Sequence, residues 1–207
     1  MLKKLISIFT VLCILILPNT SVYASEFKES NLEQFAEELD IEVEELLNLE
    51  ENITLALDQL EKLTLSRSFT DNQKLSVQVS ENLILETNSY VEESIARSST
   101  RRTVTATMNL KNIYGGTVVT LTSVGVFTTN NSTVSVQDAY GSSRGKVWKI
   151  NIPKGTTGGS STSRWARNTF SGQLDIGVSP VSMTIQTFNW NNTITMNQRG
   201  SFNSVWR

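Results

Sequence analysis

Apolar and polar positions repeat with two different periods along this chain, and the period changes once. Leu32, Phe35, Ala36 and Leu39 fall at i, i+3, i+4 and i+7, a single helical stripe. Ser30-Asn31-Leu32-Glu33 ahead of it has the form of a capping box, with a serine oxygen placed to accept an early backbone N–H and a glutamate able to reach back. Asp40 reads as the cap of a second helix carrying Val43, Leu46 and Leu47. Ile53, Ala56, Leu57, Leu60 and Leu63 form a third stripe, so two or three short amphipathic helices are expected. From Lys74 the period falls to two. Leu75, Val77 and Val79 alternate with polar residues, Ser80-Glu81-Asn82 is turn-like, and Leu83 and Leu85 alternate again, which predicts a hairpin. Residues 88–100 are polar and weakly patterned, the character of an exposed connection.

Beyond Arg101 the alternation is nearly continuous. Val104, Ala106, Met108 and Leu110 alternate with Thr103, Thr105, Thr107 and Asn109. Tyr114-Gly115-Gly116 and Asn130-Asn131 read as turns around a long Val/Thr run. Trp148, Ile150 and Ile152 share one face of a further strand. Residues 141–145 and 153–163 read as loops, Gly172 as a bulge, and 189–192 as a turn. Residues 202–206 form a closing strand. Seven or eight strands at this spacing predict a mainly β chain: a C-terminal antiparallel β-sandwich or barrel, preceded by a small acidic α-helical segment.

The N-terminus changes the picture by adding an address. Lys3 and Lys4 precede an apolar run over residues 5–17, and Val22-Tyr23-Ala24 places small residues at the positions that a signal peptidase inspects. Cleavage after Ala24 is expected. The run is shorter than the roughly 20 residues that span a bilayer, so no transmembrane anchor is expected. Leu12 ahead of Cys13, and the apolar residues after it, argue against lipidation. The expected division is 1–24 signal peptide, 25–72 acidic helical segment, 73–100 hairpin and linker, and 101–207 basic all-β domain.

Charge sharpens that division. Residues 25–96 hold 18 acids and four bases, a net charge of −14, whereas residues 97–207 hold two acids and 12 bases, a net charge of +10. Attraction between the halves, or an acidic segment masking a basic domain, is the natural reading. The one cysteine lies in the signal region and there is no histidine. Disulfides, Cys–His and Ser–His–Asp catalysis and ordinary zinc sites are therefore excluded for a mature chain. The chain reads as not an enzyme, a carboxylate-only hydrolase being the one catalytic class left open, with no cofactor and no metal. Asp138 and Asp175, the only acids of the basic half, read as a turn aspartate and a solvated strand residue rather than a hydrolase pair.

Two candidate features remain. Arg101-Arg102, among small polar residues, reads equally as a processing site that would release the basic domain and as the first charged residues of the first sandwich strand. Lys146, Lys149, Lys154, Arg164 and Arg167 cluster in sequence around Trp148 and Trp165, a basic and aromatic surface suited to a sugar ring or an anionic polymer. Trp148 is expected in the core by its alternation with Ile150 and Ile152. Trp190, inside the expected 189–192 turn, is the expected exposed ligand contact.

The signal, the acidic segment and the block TRRTVTATMNLKNIYGGTVVTLTSVGVFTTNNSTVSV together resemble small secreted proteins of Gram-positive bacteria with a C-terminal all-β domain of unknown function. The resemblance implies no activity and no site residue. The expected function is that of a secreted, extracellular or cell-wall-associated binding protein. Its expected partners are a cell-wall polymer, an anionic surface or another protein, and not nucleic acid, which the acidic segment would repel. The alternative is the proprotein of an antimicrobial or toxin-like β domain cut near Arg101-Arg102.

Overall fold

The computed structural model describes residues 32–37, 40–65, 73–96, 98–145, 148–176 and 183–207. The stretch read as a signal, with Ala24, and Ser30, Asn31 and Lys146 lie outside the described residues. The chain is mainly β, in two antiparallel sheets that do not close into a barrel. Sheet A is a meander of β1 (Gln73–Gln78), β2 (Leu83–Ala96), β3 (Ser99–Asn112), β4 (Thr117–Thr129) and β5 (Val134–Gly145). Sheet B has the order β10-β9-β8-β6, from β6 (Lys149–Asn151), β8 (Ser163–Ile176), β9 (Met183–Asn197) and β10 (Phe202–Trp206); short β7 (Thr156–Gly159) also pairs with β8.

Period-two patterning places the core. Val104, Ala106, Met108 and Leu110 of β3 point inward, with Leu121 and Phe127 of β4 beside them. Ala166 and Phe170 of β8, Ile194 and Met196 of β9, and Phe202 and Trp206 of β10 complete the packed layer. The layer is crossed by polar residues. Buried Asn168 donates from Nδ2 to Ser123 Oγ at 2.8 Å, linking the sheets. Its register partner Asn192, also buried, donates to Ser204 Oγ at 2.9 Å.

The helices belong to the same core. Residues 32–37 are helical, followed by α1 (Val43–Leu47) and α2 (Leu49–Leu65). Leu46, Leu49, Ile53, Ala56, Leu57 and Leu60 are buried in one cluster with both sheets. Helix α2 packs against the edge strands β1 and β10, bridging one sheet to the other.

Several expected boundaries move. Residues 88–96 are not an exposed connection but strand, in register with β3 from Leu83↔Asn112 to Ala96↔Ser99. Sheet A therefore runs unbroken through the boundary expected at Arg101. Residues 141–145 continue β5, and 156–159 form β7. Gly172 is not a bulge: it pairs with Phe188, whose ring would lie 2.2 Å from an added Cβ, while the register shift falls at Leu174/Asp175.

Asp40 also changes role. It adopts φ of 55°, the Ile41 N–H donates to Ala36 O at 3.0 Å, and the Asp40 N–H donates to Glu37 O at 3.1 Å. These bonds are a Schellman closure of the preceding helix, with Asp40 at the left-handed position usually held by glycine. The cap of α1 is Glu42, whose N–H donates to Glu45 Oε2 at 3.2 Å.

Candidate ligand-binding surface

Sheet B turns one face to the core and one outward. On β8, Ala166, Asn168 and Phe170 point inward, so Trp165, Arg167 and Thr169 point outward. Register brings Trp165 beside Thr195 and Gly158, Arg167 beside Thr193 and Thr156, and Thr169 beside Asn191. The outward face is thus a band of Asn and Thr side chains with one aromatic and one cation at its centre.

Trp165 and Arg167 form a pair. Arg167 Cζ lies 5.2 Å from the indole centroid, and Arg167 Nε donates to Thr193 Oγ1 at 3.0 Å. The indole lies over Gly158, where an added Cβ would be 2.4 Å from Trp165 Cζ2. A glycine is required at that position for the ring to lie flat on β7. Trp165 is half-buried and Arg167 exposed, so the indole and guanidinium present one joint surface to solvent.

The other basic residues do not join them. Arg164 alternates to the opposite face of β8, where its buried Nε has no partner among the described residues. Lys149 is in register with Gln173, six residues from Arg167 along β8 and so about 20 Å away. Exposed Lys154 lies between β6 and β7.

Trp190 is a correction. Residues 189–192 are interior to β9 rather than a turn, and strand alternation sends Phe188, Trp190 and Asn192 inward. Trp190 is 5 % exposed. Its ring stacks on Phe188 with centroids 3.7 Å apart and meets Trp148 edge-on at 6.3 Å. It is a core residue, and Asn189 and Asn191 are the outward ones. Trp148 is buried as expected.

Of the two readings of the dibasic pair, the structure has the one in a strand. Arg101 and Arg102 lie in β3, paired to Ser94 and Glu93 on one side and to Thr128 and Phe127 on the other. Arg102 Nε is 2.7 Å from Glu93 Oε1, and its side chain is 14 % exposed. A protease needs an extended backbone with free hydrogen-bonding groups, and β3 offers none here. Exposed Asp138 accepts from the Ala139 N–H at 2.8 Å beside the Val126/Phe127 bulge, so it serves its own strand rather than a turn. Asp175 lies in β8, its side chain outside the described atoms. No group of three or more metal-ligating side chains occurs among the described residues.

Ion pairs join the two regions of opposite charge. Arg102 binds Glu93, Lys111 Nζ binds Glu86 Oε2 at 2.7 Å, and Arg207 Nη2 binds Glu61 Oε1 at 2.5 Å. Hydrogen bonding from Arg207 holds the Glu61 carboxyl below its ordinary value, and Lys111 does the same to Glu86. Burial opposes ionisation of Glu45, but hydrogen bonds from the Asn82 side chain and backbone outweigh it and lower that carboxyl too. No family model matches the chain, and no curated protein or solved structure matches it. No helix among the described residues is long and apolar enough to cross a membrane.

Proposed function

We propose that this chain is a secreted, non-enzymatic binding protein of the cell envelope or the extracellular space, and that the outward face of sheet B adsorbs a cell-wall polymer. The observation that carries the reading is the Trp165–Arg167 pair seated over Gly158 and flanked by Thr193, Thr195 and Asn191. A flat indole offers stacking area to the C–H face of a sugar ring. The neighbouring amides and hydroxyls can exchange hydrogen bonds with ring hydroxyls, and the guanidinium meets an anionic substituent. The N-terminal signal pattern supports the location. The acidic helices are read as part of the folding unit rather than as a removable mask, because their apolar faces share its core.

Sedimentation of the purified protein with isolated Gram-positive cell walls tests this, with and without their anionic polymers. Binding is expected to fall as salt rises, and Trp165→Ala and Arg167→Ala are each expected to weaken it by about tenfold. Wild-type protein that stays in the supernatant with both wall preparations would sink the reading.

A further inference from the structure

The outward face of sheet B continues past the Trp165–Arg167 pair to a recess at its edge. The recess, of about 490 Å3, opens between β6 and β8 and is lined by Lys149, Ile150, Asn151, Ser171, Gly172 and Gln173. Register decides which of these meet solvent together. Lys149 pairs with Gln173 and Asn151 with Ser171, so all four stand on the same face as Trp165, Arg167 and Thr169. Ile150 packs inward against the core, and Gly172 faces the Phe188 ring. Lys149, Asn151 and Gln173 are exposed and Ser171 is half-buried.

Arg167 and Lys149 thus mark the two ends of one polar band. Six residues of β8 separate Arg167 from Gln173, a span of about 20 Å. Between them stand Thr169 and Ser171 of β8 with Asn191 and Asn189 of β9, and Ser171 Oγ donates to Asn189 Oδ1 at 3.3 Å. Exposed Lys154, in the link from β6 to β7, follows the same edge of β8 between the two ends. Asp175, the one acid among the described residues of sheet B, lies two residues beyond Gln173. At physiological ionic strength charges are screened over about 8 Å, so a small anion at one end does not feel the other. Only a chain that touches both ends gains from both.

We propose that the recess is a second subsite of the polymer-binding face, and that its occupant is a linear polyanion lying along β8 with negative groups at both Arg167 and Lys149. This rests on the polymer-binding reading and narrows it to polymers whose repeats are charged. The Lys149 ammonium has three donors, so an anion adds to its protein contacts rather than displacing them, and Asn151 and Gln173 bring amide donors beside it. Calorimetric titration of the full chain with oligomers of glycerol phosphate and of galacturonate tests this, each in one length shorter than the span and one longer. Dextran oligomers of the longer length are the neutral ligand. At least one long polyanion should bind about tenfold or more tightly, per repeat, than its short form, and comparing the two separates phosphodiester from carboxylate. Lys149→Gln should remove that gain while the short oligomer still binds, and Lys149→Arg should keep it. The inference is overturned if neither long polyanion binds, if long and short forms bind equally per repeat, if dextran binds as tightly as the long polyanions, or if Lys149→Gln keeps the gain. Sedimentation with whole cell walls then tells the two failures apart. Wild-type protein that still adsorbs to walls has lost only the second subsite, whereas protein that stays in the supernatant has lost the polymer-binding reading as well.

Discussion

Asp40 and Asn192 are two short polar side chains with opposite tasks. Asp40 holds a left-handed backbone on the surface and accepts from Asn112 Nδ2 at 3.2 Å, tying the end of the first helix to β3. A β-branched residue there meets its own carbonyl, so Asp40→Val should lower stability by about 1–2 kcal/mol in urea titration, more than Asp40→Asn. Asn192 is fully buried and bonds Ser204 Oγ and Val205 O, the latter at 3.2 Å. Asn192→Ala should cost about 1–3 kcal/mol by the same measurement, because buried partners lose their donor. These two residues also mark what was hard to read in the sequence. Aspartate is a favoured N-cap, and its occasional use at a left-handed closing position leaves no separate mark, so Asp40 was legible as a helix boundary but read as the wrong end. Asparagine favours turns, so Asn191-Asn192 beside Trp190 read as a turn. Only the partner Ser204, 12 residues on, makes Asn192 an interior residue. Trp165 and Arg167 were legible as a basic aromatic pair, whereas Gly158 beneath them was invisible, because register across β7 and β8 brings it there.

Elements tie the regions of opposite charge together more than their charges do. Helix α2 places Ile53, Leu57 and Leu60 in the core between β1 and β10. Leu57→Ala is expected to cost about 2–5 kcal/mol, read from the shift in urea midpoint. By contrast, the Arg207 side chain is 54 % exposed, so Arg207→Ala should cost less than about 1 kcal/mol. The carboxylates give a direction with pH. Glu45, Glu61 and Glu86 are all lowered from 4.5 on folding, so their contribution is present above that value. It is lost as pH falls through the lowered native values. Urea midpoints should therefore drop between neutral pH and about pH 3, and Arg207→Ala should flatten part of that drop. The strands themselves were legible wherever one face is buried, as in 104–110. Residues 88–96 were missed because that arm of β2 carries Glu92, Glu93 and an exposed Ile95, with little buried to set a period.

For the whole molecule, the charge contrast in the sequence does not coincide with a break in the packing. Both sheets and the helices contribute to one buried cluster, and sheet A continues through Arg101 and Arg102. A chain beginning at residue 73 would expose the faces of β1 and β10 that α2 covers. It should lack the near-ultraviolet signal of the packed tryptophans and unfold without a sharp transition, whereas the full chain should unfold cooperatively. A well-packed fragment with native-like thermal unfolding would contradict this. The same packing constrains the order of assembly. Sheet A can zip up locally, each strand joining its sequence neighbour, but Glu61 and Arg207 meet across 146 residues of chain. Closing so long a loop is slow. As the polypeptide emerges N-terminus first, α2 can meet β1 early, but the part of its apolar stripe that faces β10 must wait for the last strand. Any helper that escorts this chain during synthesis therefore has a defined client surface, the buried stripe of α2 with Leu49, Ile53, Ala56 and Leu60.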